Sequence, residues 1–383
     1  MKVAFIASDN DRASGAFRSM VKLIELLRDK YSVQVKVILP YHGSGEELLR
    51  ASQIEFVYIR SYDWIIKLNQ MKSVKTRVYW QVKRSWNKIA ITRIEKFLKE
   101  FQPDIVHINT SYSYVGAVAA NHLGIPIVWH IREFLEEDQQ ARYRNREYAY
   151  SLYKKASCVV AISQAIYDKY AQKIGRKNLK MVYNGIDETE FYSTHELFTD
   201  GNQLITVGGL YPGKGHATII KALGKLKRQG HDDFHYLIVG DGEEKESLVN
   251  LTINEGVEKE VEFYGLSKNP SELYKKADVF LMGSVAEAFG RVTVEAMMSG
   301  LLVIGRNSAG TSEILKDGEY GLLFNNQEEL VDRLQDVFSN PDKYKTLAQK
   351  GQEHVMHTYT ADNNANSIYQ IYRHIMLKND SCL

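Results

Sequence analysis

Two carboxylates eight residues apart, Glu287 and Glu295, frame the run AEAFGRVTVEAMMSG (286–300). Glu287 follows directly on the apolar run VFLMG (279–283), and Phe289, Gly290 and Arg291 then turn the chain. Beyond the turn Val294, Met297 and Met298 recur at the spacing of one helix face, which places Glu295 in an early turn of that helix. A carboxylate in the loop and one on the helix can both face one crevice and accept hydrogen bonds from hydroxyls. The N–H groups of the turn point at negative charge. A polyol joined to a diphosphate is the ligand this arrangement suits. Spacing alone leaves a second reading of Glu295 open, that of a partner for the helix dipole.

A second loop, VGGLYPGKGHATII (207–220), ends a strand in Gly208 and Gly209 and enters a helix through Pro212, Gly213, Lys214 and Gly215. A lysine flanked by glycines at a helix entrance can set its ammonium on a phosphate. The loop is not a P-loop, because Gly215 rather than Ser or Thr follows the lysine. An ordinary exposed lysine is the plain alternative. A third loop, SDNDRASGAF (8–17), brings Gly15 and Ala16 to a helix start, where a backbone without a Cβ can approach an anion or simply turn.

The elements that must position these loops follow from short apolar runs that alternate with helix-like segments. VAFIA (3–7), VQVKVIL (33–39), IEFVYI (54–59), IVHIN (105–109), IPIVWHI (125–131) and CVVAIS (158–163) make one series. LITVGGL (204–210), HYLIVGDG (235–242), VEFYG (261–265), VFLMG (279–283) and LLVIGR (301–306) make another. This is the βαβ cadence of two successive doubly wound α/β domains. The polar stretch 187–203 lacks periodicity and reads as the linker, giving an N-terminal domain over 1–186 and a C-terminal domain over 187–360. An amphipathic helix, about 361–383, closes the chain.

Composition narrows the function classes. The 383 residues carry a formal net charge of +2, too balanced for a chain that binds nucleic acid electrostatically. Two distant cysteines, Cys158 and Cys382, fit neither a disulfide framework nor a zinc site and point to a reducing compartment. The opening MKVAFIAS is too short for a signal peptide, and no run approaches a bilayer span. Residues 67–99 depart from the average, with ten lysines and arginines against one acid, Glu95, and Trp80 and Trp86 interleaved. Such a segment reads as an interfacial helix on an anionic membrane surface, with Lys83, Arg84, Trp86 and Lys88 as contacts. The competing reading is a solvated helix with its tryptophans turned to the core.

The run E-A-F-G-R-V-T-V-E resembles the E-x7-E motif of family 4 glycosyltransferases. So do, in the family's order, PDIVHIN (103–109), GIPIVWHIREF (124–134), AISQAI (161–166), VYNGID (182–187), the Lys214 loop, VGDGEE (239–244) and DGEYGLLF (317–324). The resemblance implies a GT-B fold, two Rossmann-like domains facing a cleft, with the last helix crossing back to the N-terminal domain. It implies retention at the anomeric carbon and no metal or other cofactor. Carried over by residue, Glu295 is the ribose carboxylate and Glu287 the catalytic-site carboxylate that holds donor-sugar hydroxyls. Phe289, Gly290 and Arg291 serve the sugar through their backbone, Val292 and Thr293 the diphosphate, and Lys214 the diphosphate by charge. Leu266 lies near the base, His130 beside the transferred sugar, and Gly15 and Ala16 on the acceptor side.

One position departs from the family. Where members carry an arginine that shares the diphosphate with the lysine, this chain has Gly209. Arg291 and Arg132 are the guanidiniums that can stand in. The implied reaction is transfer of a hexose from a nucleotide-sugar, UDP-linked, to a hydroxyl of a lipid-linked or cell-surface glycan. The chain is then expected in the cytoplasm, peripheral on the inner face of the membrane. The alternative is a non-catalytic GT-B partner that binds glycan or stabilises an active transferase, told apart by failure to release nucleotide. A sugar-nucleotide epimerase is a third reading, told apart by product without acceptor.

Overall fold

The computed structural model describes the backbone of residues 1–68 and 74–380, and the side chains within them except 74–78 and 379–380. The side chains of Lys72, Lys75, Arg77 and Cys382 lie outside the described residues. The chain divides into two compact units, Met1–Gly185 with Ala361–Leu383, and Ile186–Thr360.

The strands of the first unit are β1 (Lys2–Ile6), β2 (Gln34–Leu39), β3 (Glu55–Tyr58), β4 (Ile65–Lys67), β5 (Ile105–Ile108), β6 (Ile127–Ile131), β7 (Ala141–Tyr143), β8 (Cys158–Ala161) and β9 (Leu179–Met181). Seven of them form one parallel sheet in the order β3-β2-β1-β5-β6-β8-β9. β5 and β6 are buried at every residue, which is why both read as unbroken apolar runs with only a histidine in each. The strand order reverses between β1 and β5, so a crevice opens beyond their carboxyl ends. β4 and β7 pair antiparallel as a separate ribbon that the sequence pattern does not show. Strands of three residues are too short to establish a period.

The last helix, Ala361–Asp380, completes this first unit and not the one before it in sequence. It lies against the Gly15–Tyr31 helix, where the rings of Tyr31 and Tyr369 stack at 4.1 Å. Ala365, Ile368 and Tyr372 enter the same buried cluster as Val3, Phe5 and Ile24.

The second unit carries β10 (Asn202–Val207), β11 (Phe234–Val239), β12 (Val261–Gly265), β13 (Val279–Met282), β14 (Leu302–Arg306) and β15 (Leu322–Phe324). They form a parallel sheet in the order β12-β11-β10-β13-β14-β15, with its reversal between β10 and β13. Two doubly wound α/β units therefore stand where the cadence of the sequence places them. The stretch 187–203 is not a free linker. It holds a short helix, Glu188–Phe191, buries Phe191 and Leu197, and is tied down where the Asp278 carboxylate accepts the amides of Phe198 and Gln203. Polar composition conceals this, because the segment is anchored through backbone amides and two apolar side chains.

Candidate active site

In the second unit the loops after β10 and β13 meet at the point where the strand order reverses. Gly215 caps the His216–Arg228 helix with φ +80°, and a Cβ there would lie 2.0 Å from the Gly283 carbonyl oxygen. The amide of Val285 donates to the Gly213 carbonyl at 2.8 Å, closing the contact between the loops. Glycine is required at 215 by both the left-handed backbone and the close approach. Gly290, φ +96°, likewise caps the Arg291–Met298 helix. Two helix amino ends, each the positive end of a helix dipole, thus border one loop cluster.

The charged side chains of the cluster are paired with one another. Lys214 Nζ donates to a Glu287 carboxylate oxygen at 3.2 Å, and both side chains keep part of their surface exposed. One turn into its helix Glu295 is only 4% exposed, its carboxylate accepting from Arg291 at 3.2 Å and from the Tyr274 hydroxyl at 3.4 Å. His216 donates its Nε2–H to the Gly209 carbonyl at 3.1 Å, while burial and the nearby Lys214 ammonium push its pKa down and keep it neutral. That bond pins the loop beside Gly209. The side chain of Tyr211 fills the space over Gly209, since a Cβ at 209 would meet its ring at 2.5 Å.

In the first unit a buried chain of hydrogen bonds runs from the last helix to β6. The Tyr372 hydroxyl lies 2.5 Å from His107 Nδ1, and His107 Nε2 lies 2.7 Å from His130 Nδ1. Arg132 donates to that same His130 Nδ1 at 3.4 Å, so the nitrogen is an acceptor and the proton of His130 sits on Nε2. Tyr372 then donates to His107, and His107 to His130. His130 Nε2 is buried without a partner among the described residues. Burial first, and the Arg132 charge second, hold both histidines well below the usual imidazole range. His130 therefore offers a neutral N–H donor of fixed direction.

Beyond the carboxyl ends of β1 and β5 lies a pocket of about 580 Å³, lined by Asp9, Ala16, Tyr41, Arg60, Asp63, Tyr112 and Glu133 among others. Burial raises the carboxyl pKa of both Asp9 and Glu133. Glu133 is held by the hydroxyl of Ser111 at 2.6 Å. Carboxylates and tyrosine hydroxyls around a pocket of this size suit a polyol. Among the described residues no cluster of three or more His, Cys, Asp or Glu is placed to hold a metal ion.

The family model for Glycosyltransferase Family 4 matches residues 13–190, and that for Glycosyl transferases group 1 matches residues 187–354. The chain belongs to glycosyltransferase family 4. Among the relatives of this glycosyltransferase, the alpha-monoglucosyldiacylglycerol synthase of Acholeplasma laidlawii is 24% identical, the match covering 97% of this chain and 96% of that one. The lipopolysaccharide core biosynthesis glycosyltransferase LpsE of Rhizobium meliloti is 23% identical over 97% and 98% of the two chains. The crystal structure of HepE from Anabaena in complex with UDP superposes with a TM-score of 0.79 at 23% identity, over 100% of both chains. The fold of the glycosyltransferase is thus GT-B.

Within the enzyme the residues singled out from the sequence fall in distinct places. Glu287, Lys214, Gly290, Arg291 and Glu295 gather in the loop cluster of the second unit, with Phe289 buried behind them. Thr293 is fully buried and its amide already donates to the Gly290 carbonyl at 3.0 Å. Leu266 stands 78% exposed just past β12. Gly15 and Ala16 open the helix after β1, with Ser14 as its cap. Neither candidate substitute for the missing arginine is loose. Arg291 holds Glu295, and Arg132 is bound to the Asn109 carbonyl and the Asn184 side chain within its own unit.

Of the basic-helix residues, Lys83 departs from its expected role. Its side chain is 13% exposed, paired with Asp63 at 3.1 Å and set over the Tyr79 ring, so it faces the protein and not a membrane. Arg84, Trp86 and Lys88 are exposed. Sequence reasoning missed His107, Tyr372 and Tyr274. The PDIVHIN run held the signal for His107, a histidine inside an otherwise apolar strand.

Proposed function

We propose that the protein transfers a hexose from a UDP-sugar to a hydroxyl of a lipid-linked or cell-surface glycan, with retention, while lying peripherally on the inner face of the cell membrane. The observation that carries this reading is the Lys214–Glu287 pair, set between two glycine-capped helix amino ends where the order of the second sheet reverses. Lys214 and the first-turn amides neutralise the departing diphosphate, the main electrostatic contribution to such a transfer. Glu287 accepts hydrogen bonds from the sugar hydroxyls and Glu295 from the ribose. His130 donates its Nε2–H beside the transferred sugar. The pocket of the first unit takes the acceptor. No resident metal enters this reading, because the lysine and the amides supply the positive field.

Support for the nucleotide comes from HepE, a structural neighbour solved with UDP and with UDP-glucose. Support for a lipid acceptor comes from the name of the Acholeplasma relative, a diacylglycerol glucoside synthase. The test is nucleotide release from a panel of nucleotide-sugars with membrane extract as acceptor source, followed by NMR assignment of the anomeric configuration of the product. UDP release together with an axial linkage from an axial donor is expected. Absence of release from every donor sinks the enzymatic reading in favour of a non-catalytic partner. The glycine at 209, closed over by Tyr211, is the observation that favours that second reading.

A further inference from the structure

A second pocket of the first unit, about 890 Å³, lies between the Val74–Phe101 helix and β7 with the chain that follows it. Arg84 and Lys88 enter it from the helix, Arg142 and Arg144 from the other wall, and the only acid in its lining is Glu147. None of these four cations forms an ion pair with a described carboxylate. The Nε of Arg142 is buried without a hydrogen-bond partner. The Arg144 guanidinium lies 4.9 Å over the Trp80 ring, fixed in direction. Burial raises the hydroxyl pKa of Tyr114 and Tyr148, and the Asn87 hydrogen bond to Tyr114 and the Arg84 charge near both offset it only in part. Unpaired guanidiniums with oriented forks and a buried, unsatisfied N–H make a site for an oxyanion that can accept several hydrogen bonds at once.

The occupant's other end is marked beside the pocket. Val82, Trp86 and Ile89 are 50%, 40% and 47% exposed and line a shallow apolar depression that meets the cationic pocket at Gln81, which borders both. A soluble phosphate needs no such neighbour, whereas a lipid brings an anionic head and an apolar body together. The volume exceeds what one phosphate fills and leaves room for further head-group atoms. We propose that this pocket binds the terminal phosphate or diphosphate of a membrane lipid, with the Val82–Trp86–Ile89 strip resting in the acyl boundary. The proposal deepens the reading of a lipid-borne acceptor and rests on it. It turns diffuse attraction to an anionic surface into recognition of a particular head group.

The test compares vesicles matched in surface charge but carrying either phosphatidic acid, with its exposed phosphomonoester, or phosphatidylserine. Wild-type full-length protein is expected to bind the phosphatidic acid vesicles more tightly, and inorganic diphosphate to displace it from them. Arg84→Gln combined with Arg142→Gln should weaken binding to phosphatidic acid vesicles at least about tenfold and abolish the preference, through lost charge-assisted hydrogen bonds. Arg93→Gln combined with Lys96→Gln removes the same charge from exposed positions of the same helix and should preserve the preference. Unfolding midpoints equal to wild type show that both variants fold. Equal affinity of the wild type for the two vesicles, or equal loss of preference in the two variants, overturns the proposal. Binding of diphosphate in solution without binding to either vesicle overturns the lipid as its source. Because no donor is present, failure here with intact nucleotide release removes only the head-group site. Failure of nucleotide release with an intact vesicle preference removes only the transferase reading.

Discussion

Lys214 and Glu287, 73 residues apart in sequence, are joined by a 3.2 Å hydrogen bond at the entrance of two helices. The pair gives the site an ammonium held in place by the carboxylate proposed to receive sugar hydroxyls. Lys214→Ala removes the charge proposed to face the leaving diphosphate and should lower turnover at least about tenfold, each 1.36 kcal/mol of lost stabilisation being about a factor of ten. Steady-state nucleotide release measures it, and a variant with wild-type turnover would exclude Lys214 from the chemistry.

Glu295 is held from two sides, by Arg291 and Tyr274. Glu295→Ala should weaken nucleotide-sugar binding by about 1.5–3 kcal/mol, the range of a hydrogen bond to a charged group. Tyr274→Phe loses only an orienting contact at 3.4 Å and should cost about 0.5–1.5 kcal/mol. Calorimetric titration with the donor orders the two variants, and the reverse order refutes the assignment of the ribose to Glu295.

Tyr372→Phe removes the donor to His107 and leaves a buried ring nitrogen unsatisfied. The expected loss is about 1–3 kcal/mol of stability. Urea unfolding reads it directly. An unchanged midpoint would mean that the hydroxyl is not donating.

Acid should destabilise the first unit through its paired histidines. His107 and His130 titrate in the unfolded chain near the ordinary imidazole value and well below it when folded. Their contribution is complete above about pH 6.5 and is lost as pH falls below it, because the unfolded chain then binds protons that the folded one refuses. Each histidine costs about 1.4 kcal/mol per pH unit in that window. Glu133, raised by burial, acts in the opposite sense and moderates the loss as it gains a proton. Denaturant unfolding between pH 7.5 and 5.5 should show a shallower pH slope for His107→Asn than for the wild type, and parallel slopes would contradict the account.

The doubly wound architecture was legible because buried parallel strands announce themselves as apolar runs, and IVHI and IVWHI show it even with a histidine in each. Each loop of the second unit's cluster was legible because its glycines and charges stand next to one another in the chain, Gly213 and Gly215 beside Lys214 and Gly290 beside Arg291. The Tyr372–His107 bond was not, since it joins residues 265 positions apart and only the packing of the last helix brings them together. Lys83 was misread because counting charges treats every lysine as solvated, whereas Asp63 and the Tyr79 ring draw this one inward. The anchoring of the stretch 187–203 was not legible because the Asp278 carboxylate that holds it lies some 80 residues further on.

The last helix belongs to the first unit, and this orders events during synthesis. The second unit has all of its strands once residue 324 has emerged, and all of its residues by Thr360. The first unit, made earlier, still lacks Ala365, Ile368 and Tyr372 of its core, and His107 lacks its partner. Domains otherwise tend to fold in the order in which they leave the ribosome. Here the half made first is the half finished last, and the apolar face that the Gly15–Tyr31 helix shares with the last helix stays uncovered until residues 361–380 have been made.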